Sequence, residues 1–213
     1  MLTMMPSEAP KKHSFKQQQL LFRETAILDA VNQLLAQKGF DLMTMDEVAA
    51  NVGIAKASLY KHFASKEELA AASMTRLLQH ALDVTASLPE DDAPVAKLKA
   101  IVRWTVNTHL MGAMPLLPST RSTIQAALQN HAPYMDCLGR LIEQLGTWIQ
   151  DAQANGDLST DLPGEVMLYT IFARSCDPVA DFLKQGGAFT DQEITELIVR
   201  TTFEGMMRQS RPA

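Results

Sequence analysis

Residues 44–63 read TMDEVAANVGIAKASLYKHF, and this stretch decides the fold that the sequence predicts. It begins with a capping box, in which the Thr44 hydroxyl accepts a hydrogen bond from the Glu47 amide and the Glu47 carboxylate reaches back. Gly53 follows after about two helical turns and supplies the left-handed residue that a tight turn needs. A second short helix is predicted over about 55–62. Two helices this short are unusual in a plain bundle, and the pair predicts a helix–turn–helix.

The second of these short helices carries residue types that suit the major groove of DNA. Its first turn is small apart from Lys56, so the backbone can approach DNA closely, and longer polar side chains follow that can reach bases or phosphates. Phe63 is expected in the core, whereas Tyr60 lies off the inward face. For His62 a surface contact is favoured over a buried histidine, and both remain open. The predicted DNA-contacting residues are Thr44, Lys56, Ala57, Ser58, Tyr60, Lys61, His62 and Lys66.

Helical spacing continues on both sides of this pair. Apolar positions from Phe22 predict a first helix that stops at Gly39, and a second capping box at Ser65 predicts a helix to about Leu88. Glycine and proline divide the rest, and no strand-like alternation exceeds four residues. The sequence therefore predicts an all-α chain of about nine helices, with those after the Pro89–Pro94 linker at about 94–112, 119–130, 134–155, 163–185 and 191–208.

Three segments are predicted from this pattern and from the charge. Residues 1–20 are expected to form a flexible arm, residues 21–67 a three-helix helix–turn–helix domain, and residues 68–213 a helical bundle. The whole chain carries −5, but residues 1–66 hold eight Lys/Arg against six Asp/Glu, which gives +2, and residues 67–213 carry −7. A mildly basic part on an acidic body is typical of a DNA-binding module, although chance could produce the same split. The arm's Lys11, Lys12 and Lys16 either add phosphate contacts or remain idle.

Composition excludes several classes of protein. Of the 213 residues, 46% are hydrophobic and 20% are charged, so the chain can bury a core and is not intrinsically disordered. No apolar run approaches the roughly 18 residues that span a bilayer, and the polar N-terminus does not read as a secretory signal. Two cysteines, Cys137 and Cys176, make no disulfide framework. We expect a cytoplasmic protein that has no membrane partner.

The stretch from Phe22 to Leu69 resembles the DNA-binding domain of the TetR/AcrR family of bacterial transcriptional regulators. The family often carries a helix-capping serine where this chain has Ala55, and losing such a cap weakens a helix end by about 1 kcal/mol. The resemblance covers about fifty residues and lies in Ile27-Leu-Asp-Ala30, Lys38-Gly-Phe40, Thr44-Met-Asp-Glu-Val-Ala49, Gly53-Ile54, Ser58-Leu-Tyr-Lys-His-Phe63 and Ser65-Lys-Glu-Glu-Leu69.

The resemblance implies a ligand-responsive transcriptional regulator, most often a repressor. Such a protein binds a palindromic double-stranded DNA operator as a homodimer and is released by a small-molecule effector, of unidentified chemistry, bound in residues 68–213. Arg121 or Arg174, if either faces the cavity, would favour an anionic ligand, whereas a solvated or ion-paired arginine is the favoured alternative for each. The candidate ligand-binding residues are Trp104, Thr108, His109, Met111, Met114, Arg121, Trp148 and Phe172. The last two predicted helices are expected to serve at least partly in dimerisation, although some of their apolar residues must belong to the core of their own chain. The candidate dimer interface is Val166, Tyr169, Thr170, Ala173, Ile194, Leu197, Ile198, Thr201 and Met206.

Two other classes of function compete with this interpretation. An enzyme is disfavoured because the sequence has no GxSxG, Walker, HExxH or CxxC motif. The five histidines lack metal-ligand spacing, so neither a metal nor a cofactor is predicted. A helical protein that docks another protein through the short helices is the other alternative, and it would show no salt-dependent DNA binding.

Overall fold

The computed structural model describes residues 15–115 and 124–204. Within these ranges the chain is all helical, as predicted, with ten α-helices, one short 3-10 helix and no strand. The elements are α1 (Phe15–Leu42), α2 (Met45–Val52), α3 (Lys56–Leu59), α4 (Lys66–Ser87), α5 (Pro94–Leu110), α6 (Ile124–Gln129), α7 (Ala132–Ala154), α8 (Gly164–Phe172), the 3-10 helix (Ala173–Cys176), α9 (Pro178–Gly186) and α10 (Asp191–Glu204).

The start and the end of the predicted first helix differ from the observed ones. Helix α1 begins at Phe15 rather than at Phe22, so residues 15–20 of the predicted flexible arm belong to it, and residues 1–14 lie outside the described residues. Gly39 interrupts the helix with φ 73° and ψ 175°, which is the stop that the sequence predicted there. The chain then continues to Leu42 as a short turn of helix.

The prediction of a single helix over 163–185 is wrong, because the helical conformation is interrupted at Asp177. Pro178 has no backbone N–H and disfavours a helical conformation in the residue before it. Asp177 accordingly adopts φ −76° and ψ 109°, and its Oδ1 accepts a hydrogen bond from the Val179 N–H at 3.0 Å, capping α9. This break accounts for the helix beyond the predicted nine.

The helix–turn–helix is built as its local sequence dictates. The Thr44 hydroxyl accepts from the Glu47 N–H at 3.3 Å, and the Glu47 carboxylate accepts from the Thr44 N–H at 3.0 Å. Gly53 takes φ 72° and closes α2 with its N–H toward the carbonyls of the preceding turn. Helix α3 is shorter than predicted, because regular helix ends at Leu59 and residues 60–62 continue as turns. No side chain caps its start at Ala55.

Two hydrophobic clusters organise the described residues. The head cluster joins α1 and α2 with α3, the start of α4, and α6, and includes Ile27, Val31, Val48, Leu59 and Leu128. The body cluster joins the second half of α4 with α5, α7, α8, α9 and α10. Helix α4 contributes to both clusters, so the domain boundary predicted near residue 67 falls beside a helix that is continuous across the two cores and stays a prediction.

None of the described helices combines the length and the apolar character that a bilayer span requires.

We expect the turn at Gly53 to be intolerant of a side chain. Gly53→Ala should lower the free energy of unfolding by about 1–2 kcal/mol, because an L-residue at positive φ is strained. Gly139→Ala is the matched control, since Gly139 is exposed within α7 and a Cβ there meets nothing within 4 Å. It should be neutral or stabilising by up to about 1 kcal/mol. Urea unfolding of both variants measures the difference, and a Gly53→Ala protein as stable as wild type would contradict the assignment.

Candidate nucleic-acid interface and ligand cavity

Five of the predicted DNA-contacting residues share one exposed region at the start of α2 and along α3. We call Thr44, Lys56, Ala57, Tyr60 and Lys61 the recognition surface. Leu59 is fully buried in the head cluster and anchors the inward side of α3, while the Tyr60 side chain is 46% exposed. Ser58 is half-buried between them. Two lysines and a tyrosine are therefore exposed on and just after α3, whose opposite side packs in the head cluster.

An acidic residue that the sequence interpretation missed lies within this surface. The Asp46 carboxylate forms an ion pair with the Lys56 ammonium at 2.8 Å, and both side chains are largely exposed. The hydrogen bond to Asp46 raises the pKa of Lys56, so the lysine stays charged. A phosphate would have to compete with Asp46 for Lys56. The only local sequence signal was an acid in the first turn of α2, where the helix dipole favours negative charge.

His62 is not on the recognition surface, contrary to the favoured prediction. Its side chain is 8% exposed, and Nδ1 lies 3.4 Å from the Glu24 carboxylate on α1. Because regular helix ends before His62, the chain turns and directs the imidazole back toward α1. The alternative, a buried histidine, describes its position, and Glu24 is its missed partner.

Thr44 and Lys66 are both engaged within the protein. The Thr44 hydroxyl donates to the Glu47 carboxylate at 2.8 Å, and Lys38 also pairs with that carboxylate. The hydrogen bonds from Lys38 and from Thr44 lower the pKa of Glu47. The Lys66 ammonium lies 4.2 Å from the centre of the Phe40 ring. Thr44 belongs to the recognition surface, but its hydroxyl and the Lys66 ammonium both already have partners within the protein.

A cavity of about 270 Å³ lies in the body, between α4, α5, α7 and α8. Of the predicted ligand residues, Trp104, Met114 and Phe172 line it. No described lining residue carries a charge at neutral pH, and the polar groups among them belong to Thr105, Tyr134 and Ser175. Burial raises the pKa of the Tyr134 phenol, as expected for an apolar environment. The cavity suits an apolar molecule better than an ion.

Four other predicted ligand residues do not line this cavity. The Thr108 hydroxyl donates to the Trp104 carbonyl, and Met111, at the end of α5, is 78% exposed. Trp148 packs in the body cluster. His109 lies between the Asp181 carboxylate, 2.9 Å from Nε2, and the Ser175 carbonyl, 3.2 Å from Nδ1. Apolar spacing therefore did not separate residues of the cavity wall from core residues such as Trp148 or from surface residues such as Met111.

The two arginines considered for an anionic ligand give no support for one. Arg121 lies outside the described residues. The Arg174 guanidinium pairs with the Asp177 carboxylate at 2.6 Å and is not among the cavity-lining residues.

The predicted dimer residues divide between surface and core. On α8, Val166 and Tyr169 are exposed and Thr170 is half-buried, and Ala173, the first residue of the 3-10 helix, is exposed. On α10, Ile194 and Ile198 are wrong as interface residues, because both are buried in the body cluster of their own chain. The remaining members are Leu197, which is half-buried, Thr201, which is exposed, and Met206, which lies outside the described residues.

Helix α9 carries exposed apolar residues that the sequence interpretation missed. Phe182 is 70% exposed, and Val179, one turn before it, is also exposed. The spacing predicts one continuous helix over 163–185, so it does not predict how the segment after Asp177 is rotated.

Metal-binding groups do not gather anywhere in residues 15–115 and 124–204: no three His, Cys, Asp or Glu side chains there could hold one ion.

Solved structures of other proteins share this fold. The fatty acid degradation regulator FadR from Bacillus halodurans matches with a TM-score of 0.65 and 16% identity, covering 91% of this chain and 95% of that one. The regulator FadR from Bacillus subtilis, in complex with stearoyl-CoA, matches with a TM-score of 0.62 and 13% identity, covering 85% and 98%. At these identities the likeness concerns the fold alone.

Sequence comparison concerns the first part of the chain. The biofilm operon icaADBC HTH-type negative transcriptional regulator IcaR of Staphylococcus epidermidis is 37% identical over 57 residues, which are 27% of this chain and 31% of that regulator. The chain thus spans about a third of the length of that relative. Residues 27–73, which hold most of the head cluster and the recognition surface, match the model for bacterial regulatory proteins of the tetR family. The resemblance predicted from the sequence is confirmed, since residues 27–73 match the model of the tetR family.

Proposed function

We propose that this chain is a transcriptional regulator that binds double-stranded DNA through its recognition surface and acts as a repressor. The observation that carries the proposal is the exposed pair Lys56 and Lys61 on a helix–turn–helix within the segment that matches the tetR family model. A basic exposed helix backed by a buried anchor is what major-groove binding requires. IcaR, which resembles this segment, is named a negative regulator, which favours repression. Such a protein acts in the cytoplasm, where bacterial DNA lies.

The proposal includes a homodimer. Helix α3 has only four residues, so one copy offers few base contacts, whereas two copies on one rigid body add their contacts at two half-sites. The exposed apolar residues Val166 and Tyr169 on α8, and Val179 and Phe182 on α9, support a protein–protein contact in the body. We assign the interface to these two helices.

The proposal also includes an apolar effector. The cavity is lined by described residues without charge, and it borders α4, which enters the head. The Bacillus subtilis FadR of similar fold was determined in complex with stearoyl-CoA, which supports a ligand with a large apolar part. To release DNA, the effector must bind the DNA-incompetent state more tightly by a few kcal/mol, changing the separation of the two α3 helices.

The first test is selection of genomic DNA. Purified protein is incubated with fragments of the host genome at near-physiological salt, and the bound DNA is sequenced. We expect a short palindromic site bound with a dissociation constant of roughly 10⁻⁸–10⁻¹¹ M. Failure to enrich any site, together with no binding of DNA at low salt, would contradict the proposal and favour a protein-docking role for the short helices.

Asp46 should restrain DNA binding. Asp46→Asn removes the competitor of Lys56 and a negative charge from the recognition surface, so we expect tighter operator binding. Lys56→Ala should weaken binding and reduce the salt slope by about one unit for one lost phosphate contact. Asp92→Asn is the matched control, since it makes the same charge change at an exposed position in the linker after α4. Operator titrations at several salt concentrations measure all three variants. Equal affinities for Asp46→Asn and Asp92→Asn would contradict the placement of Asp46.

The dimer should depend on the exposed apolar residues of α8 and α9. Tyr169→Ser and Phe182→Ser should each weaken dimerisation by tenfold or more, because an aromatic anchor at an interface is worth about 2 kcal/mol. Met111→Ser is the control, because Met111 is at least as exposed but lies on neither helix. Sedimentation equilibrium measures the dimer dissociation constants. An unchanged constant for both aromatic variants would exclude α8 and α9 as the interface.

A further inference from the structure

A hydrogen bond joins the head to the wall of the cavity. The Asn32 side-chain amide on α1 donates from Nδ2 to the Ala113 carbonyl at 2.5 Å. Ala113 belongs to residues 111–115, which follow α5 and which we call the cavity loop. The next two residues of this loop, Met114 and Pro115, are buried and line the cavity. The Ala113 peptide group therefore connects α1 to the loop that lines the cavity.

Ala113 is held from both sides. Its N–H donates to the Thr108 carbonyl at 3.0 Å, which fixes the cavity loop to α5 in the body. Its carbonyl accepts from Asn32, which fixes the same residue to α1. Gly112, with φ 67°, allows the sharp turn that places Ala113 between the two helices. A displacement of Met114 would therefore strain the hydrogen bonds that hold Ala113 to α5 and to α1.

Asn32 is well placed to transmit such a displacement. It follows Val31, which is fully buried in the head cluster together with Val48 of α2. Because side chains in a close-packed core do not move independently, a displacement of Asn32 also acts on α1 and on α2, which packs against α1. Asn32 itself is not among the residues that line the cavity or form the recognition surface.

We propose that Asn32 is a positioning residue that couples the body cavity to the helix–turn–helix by holding the cavity loop through the Ala113 carbonyl. The inference rests on the proposed function, since it states how cavity and DNA sites communicate. When a molecule fills the cavity and displaces Met114, the Asn32–Ala113 hydrogen bond either breaks or carries α1 with it. Both responses change the position of α3 relative to DNA.

A double-mutant cycle tests the coupling without an identified effector. Met114→Ala perturbs the cavity end of the loop, and operator affinity is measured in the wild-type, Asn32→Ala and Asn32→Asp backgrounds. In wild type, Met114→Ala should lower operator affinity by about three- to tenfold, as expected for loss of one hydrogen bond. With residue 32 changed, the same substitution should have an effect below about twofold. Asn32→Asp keeps the side-chain size but cannot donate when ionised, so it covers the case in which Asn32→Ala folds poorly.

Asp29→Asn is the matched control. Asp29 lies one turn before Asn32 on α1 and pairs with Arg76 of α4 at 2.7 Å, so its loss removes a contact of α1 that does not involve the cavity loop. The full effect of Met114→Ala should persist in this background. An effect that also persists in both Asn32 variants, or that is absent from wild type, would overturn the proposal.

The same double-mutant cycle can be measured without DNA, by the amide hydrogen exchange of each variant. Met114→Ala should accelerate exchange of the α1 and α2 amides in wild type and leave them unchanged in the Asn32 variants. This readout separates two failures. If no operator is recovered but the exchange cycle shows coupling, the regulatory function fails and the Asn32 connection stands. If an operator is recovered and neither cycle shows coupling, the Asn32 connection fails and the regulatory function stands.

Discussion

Helix α4 is the constraint on which the rest of the structure depends. Its 22 residues extend about 33 Å at 1.5 Å per residue. Its first half buries Leu69 and Met74 in the head cluster, and its second half buries Ala81 and Leu82 in the body cluster. Because one continuous helix belongs to both cores, the orientation of the head is set by the packing of the body. Met74 even belongs to the head cluster while lining the cavity.

Charge is distributed in a way that restrains the recognition surface. The chain is acidic overall, and its positive excess is confined to residues 1–66, so the net charge of residues 67–213 repels a polyanion such as DNA. Within the head, three carboxylates pair with two lysines and one histidine. Asp46 pairs with Lys56, Glu47 with Lys38, and Glu24 with His62. The ion pair at Lys56 is exposed and therefore weak, so a phosphate can displace it.

The sequence predicts local structure correctly where the interacting residues are close together in the chain. The capping box at Thr44 involves residues three apart, and the left-handed turn at Gly53 is a property of one residue, so both were readable and both are present. The break at Asp177 is equally local, since Pro178 disfavours a helical conformation in the residue before it, but the apolar pattern across 163–185 predicts one continuous helix. The exposure of the five members of the recognition surface was predictable because each lies on or beside these two short helices, and their contact with DNA stays a prediction.

The sequence by itself determined the all-helical fold, the helix–turn–helix and the residues that its short helices present, because capping, turn conformation and helical spacing act within a few residues. Only the tertiary structure decided which apolar faces meet each other. It buried Ile194 and Ile198 in their own chain, turned His62 toward Glu24, and joined Asn32 to Ala113 across 81 residues. An apolar stripe indicates that a face is covered, but it carries no information about the partner, which depends on how each helix is rotated and packed.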